Sequence, residues 1–227
     1  MKTIKAAVLF VFVVFFSLSS QASPTESDYL EMLHSGDFQK MKEALHSLPL
    51  RYPNSTNAIA AIKQMLHNSH EVSVTEICTT PGKSTVSYVR HIPPTMIARL
   101  TARALGNYHA TATDADLDVI FDQLIGSHVT DTAMDGLKAL RGMNVPQAVP
   151  RLLPLLEDGN KHVVQDTLRT LAVLGDESLI PRIEPLIHSP IIYVAGDARD
   201  AINKLKMKAK INKSGKIISD TQTSQAQ

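Results

Sequence analysis

The spacing of apolar positions changes along the chain, and each change marks an element. Tyr29, Leu30 and Leu33, then Phe38, Met41, Leu45 and Leu48, recur at three- and four-residue intervals, as in helices with one buried face. Gly36-Asp37 separates these segments and Pro49 is expected to end the second. A third helix follows, with Asn54 or Ser55 as its cap and Ile59, Ile62, Met65 and Leu66 as its stripe. The period then shortens. Val72, Val74 and Ile77 give way to Val86, Tyr88 and Ile92, and Thr80-Pro81-Gly82-Lys83 lies between them. Pro and Gly stand where a type II turn wants them, which predicts a β-hairpin. Pro93-Pro94 closes it, and Thr95–Leu105 reads as a helix ending at Gly106.

From Asp114 the chain repeats itself. VPRLLPLL from Val149 aligns with IPRIEPLI from Ile180 at an offset of 31 residues. In that register Val163 falls on Val194, Leu171 on Ile202, and Asp135, Asp166 and Asp197 on one another. Three units result, roughly 114–144, 145–175 and 176–206, and Thr95–Gly106 resembles the second helix of a preceding unit whose register is broken by the insertion Asn107–Thr113. Each unit reads as two helices. A pair this small buries both faces only by stacking on its neighbours. Pro154 and Pro185 fall inside the first helix and should bend it. Past residue 206 no period is visible, and 207–227 reads as a basic and polar disordered tail.

The start of the chain reads as an address. Lys2 and Lys5 precede a run from Ala6 to Leu18 that is apolar except for Ser17, and Ser20-Gln21-Ala22 offers small residues for a cut after Ala22. This is a secretory leader over 1–22, too short to span a bilayer. The expected organisation is therefore leader 1–22, a helical region with the hairpin 23–92, repeats 93–206 and tail 207–227, in the periplasm or fully secreted. In such a compartment the single cysteine, Cys78, reads as a small buried hydrophobe or as a thiol that pairs with a partner. Removing the leader leaves 21 basic and 22 acidic side chains, a balance that implies no nucleic-acid grip. The repeats 114–205 carry a net −6 and residues 206–227 a net +4. Those tail lysines are either solvated or rest on the chain's own repeats, an acidic partner or an anionic membrane.

The segment Leu156–Ile187 resembles the short HEAT-like repeat of phycobilin lyase relatives, through Leu156, Asp158, Val163, Leu171, Leu174, Gly175 and Asp176. The third unit keeps Val194, Ala198, Ala201 and Ile202, whereas the pattern's usual Arg is replaced by Val164, Ala195 and Ala133. The resemblance implies a mainly α fold, an α-solenoid of stacked helix pairs, whose second helices line the concave side. Such modules mostly bind other proteins. Two enzymes with related repeats set a contrast. Deoxyhypusine hydroxylase holds two irons through several His-Glu dipeptides, and here only His70-Glu71 occurs, outside the repeats. Phycobilin lyases work in the cytoplasm of photosynthetic cells, which does not suit a leader.

Other candidate chemistry is thin. His67 and His70 can share a helix face, but two ligands at a helix end make a weak metal site. Gly82-Lys83-Ser84 lacks the first glycine of a phosphate loop, since Ile77 stands there. Asp135, Asp166 and Asp197 read either as an exposed carboxylate stripe or as a structural ladder bonded to neighbouring repeats. No cofactor or metal is expected. The reading is an exported, non-enzymatic repeat protein that binds another protein. The alternatives are a structural accessory of an envelope or secretion assembly, and an enzyme or ligand carrier with a site between hairpin and repeats, where Cys78, His91 and His109 would act. If Val163, Thr167, Leu171 and Leu174 are buried, Gln165 and Arg169 face outward; the register adds Met134 and Lys138, and Arg141 lies one turn on. These five form the expected partner-binding strip.

Overall fold

The computed structural model describes residues 23–68, 72–78, 86–127 and 129–225, with the backbone alone over 72–90 and 215–225. The expected leader and the hairpin's turn lie outside the described residues. Three helices come first: α1 (Glu26–His34), α2 (Phe38–Arg51) and α3 (Thr56–His67). Each begins where a side-chain oxygen accepts from free amides of the first turn. Thr25 forms a capping box with Asp28, Asp37 accepts from the Gln39 and Lys40 amides, and Ser55 accepts from that of Ala58. Gly36 turns the chain at φ +70°, a conformation that suits glycine. Pro49 does not end α2; it sits buried inside the last turn, and the helix runs on to Arg51. Strands β1 (Val72–Cys78) and β2 (Val86–Ile92) pair antiparallel, Val72 opposite Ile92 and Cys78 opposite Val86.

Helix α4 (Pro94–Asn107) leads into the repeats. The first helices are α5 (Asp114–Val119), α7 (Val149–Leu152) and α9 (Ile180–Ile183); the second are α6 (Thr130–Met143), α8 (Lys161–Leu174) and α10 (Ile192–Gln225). The starts of α6, α8 and α10 are 31 residues apart, as are those of α7 and α9. No first helix stays regular. After α7 and α9 the chain tightens into 3-10 turns, Leu153–Glu157 and Glu184–His188, with Pro154 and Pro185 in their opening turns. A missing donor and a ring against the preceding carbonyl disfavour a continuous α-helix there. Unit one has Gln123 at that place, and its chain instead widens into a π-helix over Ile120–Ile125.

One core runs through the stack. Leu137 and Leu140 of α6, Leu168 and Leu171 of α8, Leu152 of α7, Ile183 of α9 and Leu205 of α10 are fully buried, each worth about 1.5–3 kcal/mol of apolar burial. It continues without a break into Leu105 of α4, Ile62 and Leu66 of α3 and Leu48 of α2. Gly106 does not end α4. It is buried one residue before the end, where a Cβ would stand 3.2 Å from the Ala139 Cα, and a Cβ on Gly142 would stand 2.6 Å from the Gly106 carbonyl oxygen. Small residues let α4 and α6 cross backbone against backbone.

The expected disordered tail is also corrected. Helix α10 continues through residue 207 to Gln225. Lys208 explains part of this, because its ammonium donates to the Val173 and Gly175 carbonyls at 2.7 and 2.6 Å. Those carbonyls lie at the C-terminal end of α8, where acceptors and the helix dipole favour a cation. Lys213 adds an ion pair to Glu177 at 3.2 Å.

Candidate functional site

The second helices α4, α6, α8 and α10 lie side by side, and one pattern of charge recurs along them. An arginine on each helix reaches the repeat aspartate of the next. Arg99 of α4 donates through Nε and Nη2 to Asp135 of α6 at 2.9 and 2.7 Å. Arg141 of α6 lies 3.8 Å from the Asp166 carboxylate and donates to the Asp166 carbonyl and the Thr170 hydroxyl. Arg169 of α8 donates to both carboxylate oxygens of Asp197 on α10, at 3.2 and 3.1 Å, and to Asp166 at 3.3 Å. The carboxylates are buried or half-buried, so each needs its partner. Burial also lowers the Arg141 pKa, against the pull of Asp166. The aspartates thus form a ladder between repeats and not an exposed stripe.

A second charged cluster joins the N-terminal helices to the stack. Asp116, on α5 and 1% exposed, takes an ion pair from Lys63 at 2.9 Å, a hydrogen bond from His67 Nε2 at 2.7 Å and the Thr113 amide at 2.9 Å. Burial works to raise the carboxyl's pKa, but hydrogen bonds from Lys63, the Thr113 backbone, His67 and the Thr113 hydroxyl hold it at about 2. His67 is therefore spent on a structural contact. Among the described residues no three His, Cys, Asp or Glu converge as metal ligands.

No protein-family model matches the sequence, and a search of the curated proteins finds no match. The fold does have solved counterparts. The complex of CpcE and CpcF of phycocyanin lyase from Nostoc sp. PCC7120 aligns with a TM-score of 0.57 and 20% identity, over 86% of this chain and 70% of that one. The chain has a HEAT-like repeat fold. Two engineered proteins also align, at TM-scores of 0.46 and 0.43 and identities of 17% and 20%, over 81% and 80% of this chain and 80% and 47% of theirs.

Within this HEAT-like stack the five strip residues divide. Val163, Thr167, Leu171 and Leu174 are buried as expected, which leaves Gln165 half-buried and Arg169 exposed. Both are drawn onto Asp197, Gln165 Nε2 at 2.7 Å. Arg141 is half-buried between repeats. Met134 and Lys138 keep more freedom. Met134 is half-buried, and the Lys138 side chain is 51% exposed, with its ammonium 3.9 Å from an Asp135 carboxylate already held by Arg99.

The residues of the alternative site separate differently. Cys78 stands in β1, where side chains are not described; His91 is exposed in β2 opposite Ser73. His109 sits in the turn after α4 at φ +50°, and its Nδ1 is 2.7 Å from the Gly142 carbonyl of α6. A carbonyl only accepts, so Nδ1 carries the proton. Sequence reasoning missed Arg99 and Arg103 on α4, because the insertion Asn107–Thr113 moved α4 out of the 31-residue register.

Among the described residues, no helix is long and apolar enough to cross a membrane.

Proposed function

We propose that this chain is an exported protein that binds another protein through its layer of second helices and catalyses no reaction. The leader pattern of residues 1–22 supports export. The HEAT-like fold supports binding, and the similar solved structure is itself a complex of two chains, CpcE and CpcF. The observation that carries the reading is the exposed Lys138 beside Met134. Inter-repeat pairing consumes Arg141, Gln165 and Arg169 and leaves this pair available. Met is enriched in protein interfaces, and an exposed rim cation such as Lys138 steers and orients a partner of opposite charge.

The test is site-specific crosslinking in the producing cell from a photoreactive residue at position 134, with the captured protein identified. Capture that disappears with Lys138→Glu supports the reading. Capture unchanged by that variant moves the interface elsewhere. Native mass spectrometry that finds a small molecule or metal and no protein partner overturns it. Arg169→Glu is unsuited to this test, since it disturbs the ladder as well as the surface.

A further inference from the structure

Beside the strip, where α2, α4 and α6 meet, two adjoining hollows form one groove. The larger, about 400 Å³, is lined by Arg103, Gly106, Asn107, His109, Lys138 and Gly142 among others. The smaller, about 150 Å³, is lined by Lys42, His46, Leu100, Arg103 and Asn107 among others. Arg103 and Asn107 line both, so the two hollows are neighbours. Lys42, Arg103 and Lys138 bring a cation from each of the three helices, His46 and His109 add two imidazoles, and no carboxylate lines either hollow. In a chain whose repeats carry a net −6, this is a local reversal of sign.

The fold leaves Lys42 and Arg103 unspent, and Lys138 has only a long contact, 3.9 Å, to Asp135. Neighbouring arginines close the ladder: Arg99, one turn before Arg103, takes Asp135, and Arg141 takes Asp166. Arg103 and Lys42 are exposed, and neither lies within ion-pair reach of a described carboxylate. One wall is the Gly106–Gly142 crossing, where α4 and α6 meet backbone against backbone. His109 is held at the groove's edge by the bond from its Nδ1–H to the Gly142 carbonyl.

We propose that this groove receives an extended acidic segment, rich in Asp or Glu, of the partner protein. The inference rests on the reading of the chain as a protein-binding module and adds the partner's chemistry. Size and charge select this occupant. Packed helices lie about 8–10 Å apart, so Lys42 to Lys138 spans roughly two such spacings across α4. A single carboxylate or phosphate cannot meet cations that far apart, whereas about five extended residues at ~3.3–3.6 Å each can. Three fixed cations are too few for a nucleic-acid grip, which neutralises on the order of 6–10 phosphates.

The probe is a fluorescein-labelled hexaglutamate peptide titrated with the purified protein at low salt and followed by anisotropy. Binding is expected, weakening with salt, and Arg103→Glu with Lys138→Glu should weaken it at least about tenfold. Arg103→Gln with Lys138→Gln should give a smaller loss and guards against misfolding of the reversal variant, both being checked by circular dichroism. Arg182→Glu, an exposed arginine on α9, should leave the curve unchanged. No binding to hexaglutamate overturns the proposal, as does equal loss from Arg182→Glu. Displacement of the peptide by equimolar inorganic phosphate overturns it in favour of a small-anion site, and tighter binding of a single-stranded oligonucleotide overturns it in favour of nucleic acid. A protein crosslinked at position 134 that lacks an acidic segment and ignores Arg103→Gln/Lys138→Gln defeats this inference while leaving the binding reading intact. Failure to crosslink any protein defeats the reading itself.

Discussion

Asp116 shows how a single side chain ties two regions together. Its folded pKa of about 2 lies below the ordinary 3.8, so the native state holds fewer protons than the unfolded chain between these values. The contact stabilises the protein above about pH 4, and the gain, roughly 2 kcal/mol, is lost as pH falls through about 2. Asp116→Asn should therefore be less stable at pH 7, and the gap should close on acidification when urea midpoints are compared from pH 7 to pH 2. Equal gaps at both ends would show that the carboxylate's charge is irrelevant. At Arg169 the expected effect is larger. Arg169→Glu sets a third carboxylate beside Asp166 and Asp197 and should cost about 2–4 kcal/mol, well beyond the ~0.5 kcal/mol of an ordinary surface change. The outward face of Gln165 and Arg169 was legible in their spacing. Their bonds to Asp197 were not, because helical periodicity says which side chains leave the core and not what they meet 28 to 32 positions later.

Among the elements, the helix crossings carry the information that sequence period lacks. Gly106 looked like a helix stop because glycine often is one. Its place against Ala139 and Gly142 comes instead from the close approach of α4 and α6, a relation between segments that no local pattern displays. Gly142→Ala puts a Cβ 2.6 Å from the Gly106 carbonyl oxygen. Backbone cannot swing aside as a side chain can, so the helices must part, at a cost of about 1–3 kcal/mol. Thermal denaturation checks this, and the same variant should loosen the Arg103–Lys138 groove. Gly36→Ala, with open space around it, suffers only its positive φ and makes a matched control. The 31-residue register of the three units was legible; Pro154 and Pro185 were expected to bend the first helices, and instead the chain passes there from α to 3-10. The π-helix of unit one was not legible, because no residue marks it as Pro154 and Pro185 mark theirs. The helical run of α10 past residue 207 was missed for a related reason. Lys208 on the α8 carbonyls and Lys213 on Glu177 hold the first turns of that run without an apolar stripe.

For the whole molecule, stacking makes stability a property of neighbours. Truncation after Asp176 removes α9 and α10, uncovers α8 and strips Asp197 from Arg169 and Gln165. The shortened protein should melt well below the intact one by calorimetry, and a common melting temperature would show the units to be independent. Leu171→Ala, in the middle unit and fully buried, should cost about 2–5 kcal/mol. The charge ladder has one more consequence. Each helix from α4 to α8 hands a cation forward and each from α6 to α10 offers a carboxylate backward, so the stack has a head and a foot. At α10 the sequence changes sign: Asp200 occupies the register position of Lys138 and Arg169. A further unit of the same kind would bring its own aspartate against Asp200 and be repelled. The pairing that joins α4 to α6, α6 to α8 and α8 to α10 is therefore not offered again on the far side of α10.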